Sequence, residues 1–210
     1  MTTNPDLQVA PPQWAEWLLR VTLKRADRES VSGDLLEEYR DTVVPARGQS
    51  AADVWYLRQA AGFMWRATSV WAVLFSGANV IRQAVDLFIP THEFHVRSFW
   101  TTYTAVALLA ATSFWSAWRS GSFVAGIVVT IVMTQIAAVL SVTGVTLLLA
   151  IWHDPATLKA AADSGGIGEA YVLPFMMIVP ALIVGTVAAA VGSVSGRLLW
   201  RRPSGLRTQG

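Results

Sequence analysis

The 31 residues SFVAGIVVTIVMTQIAAVLSVTGVTLLLAIW, at positions 122–152, contain no charged side chain. A helix needs about 20 consecutive apolar residues to cross a bilayer, so this stretch is long enough to be a membrane span. Its surplus length predicts that it tilts, protrudes or bends near residues 141–144. Charge is concentrated at the other end of the chain, where positions 1–66 hold 17 of the 30 charged residues. This division predicts a water-exposed headpiece followed by a membrane-embedded body.

Two further segments, 99–118 and 171–200, have the composition of membrane spans, and Pro174 and Pro180 are expected to kink the first half of the second. A fourth apolar segment at 67–90 leaves two interpretations open. It has 15 uncharged residues before Arg82, which is short of a bilayer crossing. It is either a span in which Arg82 and Asp86 pair at a spacing of four residues, or a helix that lies at the interface.

The charges of the loops predict the orientation of these segments. The loop at 153–170 carries three acids against one lysine, whereas Arg119 and the tail at 201–210 are basic. Basic residues accumulate on the cytoplasmic side of membrane proteins, so four spans would place both termini in the cytoplasm. A net charge of +2 gives no indication of nucleic-acid binding.

The headpiece at 11–66 follows a disordered lead at 1–10 and is predicted to contain three helices. The first begins after Pro11 and Pro12, and its apolar stripe consists of Trp14, Trp17, Leu18 and Val21. The second begins near Asp27, ends before Pro45 and is followed by a loop at 46–49. Its apolar face is predicted to consist of Val31, Leu35 and Tyr39. The third opens with a capping pair of Ser50 and Asp53 and runs on toward the first apolar segment.

Three strings in the headpiece, PPQWAEWLLR, DRESVSGDLLEEYRD and WYLRQAAGFMWR, carry a resemblance to a known family. Together they resemble the N-terminal prefix domain of bacterial macrolide-exporter-type ABC transporter permeases. The residues that match its motif are Trp17, Arg20, Gly33, Asp34, Leu35, Glu37, Glu38, Tyr39, Trp55, Tyr56, Arg58 and Gln59. The resemblance implies a small helical cytoplasmic module beside the inner membrane. Such permeases continue into a long extracytoplasmic domain, and this chain is instead expected to be a stand-alone prefix-domain membrane protein.

The headpiece charges have two interpretations. The acidic run that includes Asp34, Glu37 and Glu38 is either a docking surface for a partner or a solvated helix face with a few ion pairs. Asp34 and Arg58 are expected to form a partly buried ion pair, because both stand in otherwise apolar stretches. Gly33 interrupts the second helix, which predicts a close backbone contact there.

No catalytic or metal-binding pattern accompanies these features. His92, Glu93 and His95 lie together in one loop, but they lack the ligand spacing of a zinc site, and the chain has no cysteine. Small residues at Ala188, Gly192 and Gly196 predict a helix-packing face, and a second small-residue stripe runs beside it. Gln135 is predicted to hydrogen-bond between helices.

The sequence therefore predicts an all-α protein with a three-helix cytoplasmic headpiece and about four transmembrane helices. The leading hypothesis is a non-enzymatic protein of the bacterial inner membrane, without a cofactor, whose headpiece docks a partner. The resemblance implies that this partner is an ABC transporter subunit, an export system or its regulator. The alternative is a small channel or transporter that works as a homo-oligomer, and a membrane enzyme is the third hypothesis.

Overall fold

The structure, a computed structural model, describes residues 10–88, 94–151, 155 and 166–200. These residues are almost entirely helical and contain no strand, which confirms the all-α prediction. The predicted lead, except Ala10, and the tail at 201–210 lie outside the described residues, as do His92, Glu93 and His153. The chain divides into two compact units, with the boundary between Ala67 and Thr68.

The first unit is built from short helices and the first part of a long one. Its elements are α1 (Gln13–Thr22), α2 (Arg28–Glu38), a π-helical turn (Tyr39–Val43), α3 (Val44–Arg47) and the beginning of α4 (Gln49–Phe88). Helix α4 continues without interruption past the boundary at Ala67. This confirms the prediction that the third helix of the headpiece runs on toward the first apolar segment. Its amide ladder starts at Gly48, whose carbonyl accepts from the Ala52 N–H at 3.1 Å.

The buried face of α1 differs from the predicted one. Ala15 and Leu19 are fully buried, whereas Trp14 and Trp17 are 56% and 49% exposed, so the prediction that the tryptophans form the core stripe is wrong. Both sets have helical spacing, and hydrophobicity alone favoured the larger side chains. The tertiary contacts instead bury small side chains, which leave room for aromatic rings from other helices.

The helix that begins after Asp27 ends later than predicted. It passes through the π-helical turn and Pro45 to Arg47, so both the predicted stop before Pro45 and the predicted loop at 46–49 are wrong. A proline inside a helix removes one backbone donor and crowds the carbonyl four residues earlier. The π-helical turn changes the hydrogen-bond register immediately before it, and the Val44 N–H bonds to the Tyr39 carbonyl. The helix ends at Gly48, which has a φ of 77°.

The core of the first unit is centred on two tyrosines. Tyr39 and Tyr56 are fully buried and pack edge to face, with ring centroids 5.8 Å apart and an interplanar angle of 84°. Leu19 and alanines of α1 and α4 surround them, and Val31 and Leu35 pack against this cluster. The predicted apolar face of α2 is therefore confirmed. Full burial of side chains of this size contributes about 1.5–3 kcal/mol each, so this unit has a hydrophobic core of its own.

The second unit holds the remaining helices. These are the rest of α4, then α5 (Phe94–Ser120), α6 (Phe123–Ile151), α7 (Gly166–Met176) and α8 (Ile178–Trp200). The break at Met177 lies between Pro174 and Pro180, where the sequence predicts a kink. Pro180 has no N–H, so the Met176 carbonyl lacks the donor that would continue the ladder. Phe75, Leu109 and Met133 bring α4, α5 and α6 into one apolar cluster with Ala181 of α8.

Two stretches in the described parts of the chain are long and apolar enough to cross a membrane, Phe123–Ile151 and Tyr171–Leu199. They correspond to the predicted spans at 122–152 and 171–200. The segments 67–90 and 99–118 are helical over their described residues but do not meet the same criterion. The first contains Arg82 and an acidic residue, and the second is rich in Ser, Thr and aromatic side chains, which lower its hydropathy.

Candidate functional site

The motif residues of the headpiece divide into a buried group and a surface group. Tyr39 and Tyr56 are fully buried, and Leu35, Trp55 and Gln59 are half-buried. The exposed members are Trp17, Arg20, Gly33, Asp34, Glu37, Glu38 and Arg58. The first group builds the core or packs against it, so the second group presents most of the motif's surface to a partner from solution.

The polar centre of the core is a hydrogen bond between α4 and the π-helical turn. The Tyr39 hydroxyl donates to Asp53 Oδ1 at 2.6 Å, and it lies 3.3 Å from the Ala10 carbonyl oxygen. Asp53 thus binds a tyrosine from another element. Since α4 already begins at Gln49, the predicted capping pair of Ser50 and Asp53 is wrong.

Burial sets the acidity of both core tyrosines. It raises the pKa of Tyr39 to about 12, with a further contribution from the hydrogen bond to Asp53. It also raises the pKa of Tyr56, and the negative charge of Glu16 acts in the same direction. The Tyr56 hydroxyl is buried and has no hydrogen-bond partner among the described residues. Neither tyrosine is therefore poised to give up a proton near neutral pH, which fits a structural role.

The exposed carboxylates of α2 and the turn that follows it form a surface that we call the acidic surface. It consists of Asp34, Glu37, Glu38 and Asp41, all of which are exposed. Over residues 29–41, five acids stand against a single arginine. None of these carboxylates belongs to the core, so the hydrophobic contacts of the first unit do not depend on them.

Two predictions about this surface are wrong. Asp34 and Arg58 are both exposed, so they do not form a partly buried ion pair. Gly33 makes no close contact either, since a Cβ placed on it would have no atom within 4 Å. An ion pair does form on α1, where Arg20 Nη2 lies 2.7 Å from Glu16 Oε1. The two residues are one helical turn apart and partly exposed, and ion pairs of this kind contribute about 0.3–0.5 kcal/mol to stability.

The predicted packing residues of the second unit lie where α8 meets α5. A Cβ on Gly192 would overlap the Phe114 carbonyl oxygen, and one on Gly196 would lie 2.6 Å from the Trp118 carbonyl oxygen. Ala188 is half-buried. The absence of side chains lets the two backbones approach closely, which is how small residues promote helix packing in membranes.

The polar groups of α6 do not make the predicted contact. The Gln135 Nε2 atom is buried and has no hydrogen-bond partner among the described residues, so the predicted inter-helix bond from this amide nitrogen is absent. Thr130 and Thr134 bond back to carbonyls of their own helix at 2.8 and 2.7 Å. Ser113 makes the contact between helices instead, donating to the Gly185 carbonyl of α8 at 2.7 Å.

The described residues contain no group of three or more His, Cys, Asp or Glu side chains that could hold a metal ion. His92 lies outside the described residues, and His95 is the second residue of α5, so it is not part of the predicted loop. In comparisons with known proteins, no family model, no curated protein and no solved structure matches the chain.

Sequence reasoning missed the Tyr39–Asp53 bond and the exposure of the α1 tryptophans. The bond joins residues 14 positions apart in different elements, so no local spacing indicates it. The exposure of the tryptophans could have been predicted from Ala15 and Leu19, because these two residues have the four-residue spacing of a core face.

Proposed function

We propose that this chain is a non-enzymatic integral protein of the bacterial inner membrane whose cytoplasmic headpiece docks a partner protein. The observation that carries the proposal is the acidic surface, which stands on a unit with its own hydrophobic core and takes no part in that core. Opposite charge steers association between proteins and determines which partners bind. A partner with a basic docking surface fits this face.

A membrane location is supported by the outer surface of α8. Large apolar side chains recur along one side of this helix and remain exposed: Ile183 at 65%, Val187 at 65%, Val191 at 54%, Val194 at 55% and Leu198 at 65%. The small residues of α8 face inward at the same time. An apolar stripe of this length would be unfavourable in water and fits contact with lipid chains. We propose that the chain crosses the membrane four times and that both termini lie in the cytoplasm.

The type of partner follows from the prefix-domain resemblance. Its motif residues Tyr39 and Tyr56 build the core, and its acidic residues lie on the surface, which is the division expected of a docking module. The partner class that this resemblance favours is a subunit of an ABC-type export system or its regulator.

Photo-cross-linking in native membranes tests the docking proposal. A photoreactive residue at Glu37 is expected to capture one partner protein, and the double substitution Glu37→Lys and Glu38→Lys is expected to abolish its capture from a reporter at Asp41. A reporter at Val54, which is 48% exposed on α4, is the matched control and should not capture the same partner. Recovery of the chain itself as the sole product from every site would contradict the proposal.

A small oligomeric channel or transporter is the second candidate, and one observation favours it. Buried polar atoms of Asn79, Gln135 and Ser141 have no hydrogen-bond partner among the described residues of the second unit. Polar groups left without partners in a membrane interior are costly, and in transport proteins they line hydrated paths. This candidate predicts solute or ion flux through proteoliposomes of the pure protein, and Gln135→Leu should reduce it.

A further inference from the structure

The surface of α1 combines exposed tryptophan with positive charge. Trp14, Trp17 and Arg20 follow one another at intervals of three residues, which places them in a row along the helix. All three are exposed, and exposed Lys24 and Arg25 continue beyond the end of the helix. We call these five residues the aromatic–basic row.

The tryptophans of this row have no role in the core of the first unit. The buried residues of α1 are Ala15, Leu19 and Val21, and neither Trp14 nor Trp17 is among the side chains packed against the core cluster. Two half-exposed indoles on one short helix leave a large apolar area in contact with water. Tryptophan has an apolar ring and a polar N–H, and membrane proteins concentrate it at the level of the lipid headgroups.

Charge around the row is positive and is separated from the acidic surface. Residues 13–28 contain four basic side chains against Glu16 and Asp27, whereas residues 29–41 are strongly acidic. Arg20 and Arg25 both lie near Arg28. Burial lowers the pKa of Arg28, and the nearby charges of Arg25 and Arg20 lower it further. One part of the first unit is thus complementary to an anionic surface, and another part would be repelled by it.

We propose that the aromatic–basic row binds an anionic phospholipid surface, with Trp14 and Trp17 in the headgroup layer and Lys24 and Arg25 beside the lipid phosphates, while Arg20 keeps its ion pair with Glu16. This inference rests on the membrane location in the proposed function, and it assigns the row to lipid and leaves the acidic surface to the protein partner. Tryptophan at the level of the headgroups and basic residues beside anionic lipids are general features of protein surfaces that contact a membrane.

The absence of cysteine from the chain allows a specific test in the full-length protein. Gln13→Cys places a single thiol on exposed Gln13, one residue before Trp14, for an environment-sensitive fluorophore. The labelled chain is reconstituted in nanodiscs of phosphatidylcholine alone or mixed with phosphatidylglycerol. In the mixed discs we expect quenching by lipids that carry a nitroxide at the headgroup and protection from aqueous iodide.

Substitutions then separate the aromatic and basic contributions. Trp14→Ala combined with Trp17→Ala should restore access of iodide to the label, whereas Val54→Ala, which removes a similarly exposed apolar side chain from α4, should not. Each basic residue near an anionic surface is worth about 1 kcal/mol, so Lys24→Gln should lower the ratio of bound to free label about fivefold in mixed discs. The same substitution should have no effect in phosphatidylcholine.

Three results would overturn the proposal. The first is a label that iodide reaches equally in both kinds of disc. The second is a loss of protection from iodide in the Val54→Ala control that equals the loss in the double tryptophan variant. The third is protection from iodide in the mixed discs without quenching by the nitroxide lipids, which would assign the row to a contact within the protein. Failure of the chain to enter nanodiscs at all would instead contradict the membrane location, so the two failures are distinguishable.

Discussion

Replacing Gly196 by alanine adds one methyl group at a close approach between the backbones of α8 and α5. A Cβ there would lie 2.6 Å from the Trp118 carbonyl oxygen, 3.2 Å from its Cα and 3.3 Å from its carbonyl carbon. Ordinary contact begins at 3.4 Å, so the helices would have to separate by roughly 0.8 Å along this line. The atoms that are overlapped belong to a helix backbone, so no side-chain rotation can relieve the overlap.

The magnitude follows from two opposing effects. Overpacking of a close contact costs about 1–3 kcal/mol. Alanine is also favoured over glycine inside a helix by about 1 kcal/mol, which offsets part of that cost. The control is Gly77→Ala in α4, where a Cβ would have no atom within 4 Å. Both substitutions gain the same helix propensity, so the difference between them isolates the overlap, and we expect Gly196→Ala to be less stable than Gly77→Ala by about 1–3 kcal/mol.

The assay is equilibrium unfolding of the full chain in detergent micelles by added dodecyl sulfate, followed by circular dichroism and tryptophan fluorescence. Gly185→Ala provides a second control, because its Cβ would make ordinary contacts of 3.6 Å with Ser113 and Thr130 without overlap. Gly77→Ala and Gly185→Ala should therefore both be more stable than Gly196→Ala. Equal stability of the first and last variants would refute the reasoning that close backbone contact holds α5 and α8 together.

Three further predictions concern the first unit. Leu19→Ala should lower the free energy of opening by about 2–5 kcal/mol, whereas Trp17→Ala should change it by less than about 0.5 kcal/mol; hydrogen exchange of α1 amides in the full chain measures both. Burial and Asp53 raise the pKa of Tyr39 to about 12 from its ordinary 10.0, so the unfolded chain loses this proton first and stability falls as the pH rises from 10 toward 12. The Tyr39→Phe variant should lose less stability than the unaltered chain over this pH range. An equal pH dependence of the two proteins in urea unfolding would contradict this prediction. Asp34→Ala should leave the melting temperature unchanged because Asp34 is exposed; a clear decrease would show that this carboxylate stabilises the fold.

The sequence was sufficient to predict the helical class and the elements with the strongest local patterns. The uncharged run at 122–152 contains helix Phe123–Ile151, and the prolines at 174 and 180 flank the break at Met177. These features depend on residues that are close together in the chain. Uniform hydrophobicity and a missing amide hydrogen determine local structure in almost any tertiary context.

Other features could not be predicted because they depend on contacts between distant segments. On α1 the sequence offers two apolar faces, and the larger one is exposed because the rings of Tyr39 and Tyr56 already fill the core beside Ala15. Asp53 has the sequence spacing of a capping residue, but its carboxylate accepts from Tyr39 instead. In both cases a local pattern fitted two structures, and the tertiary partner determined which one formed.

The contact between α5 and α8 also has a consequence for how such sequences can diverge. Gly192 and Gly196 meet the carbonyl oxygens of Phe114 and Trp118, not their rings, and every residue type presents the same carbonyl. The interface should therefore tolerate most substitutions at residues 114 and 118, provided that the helix stays apolar. A single added methyl group at 192 or 196 is opposed. At these two glycines the two sides of the interface thus have unequal freedom to evolve, and the constraint lies on α8.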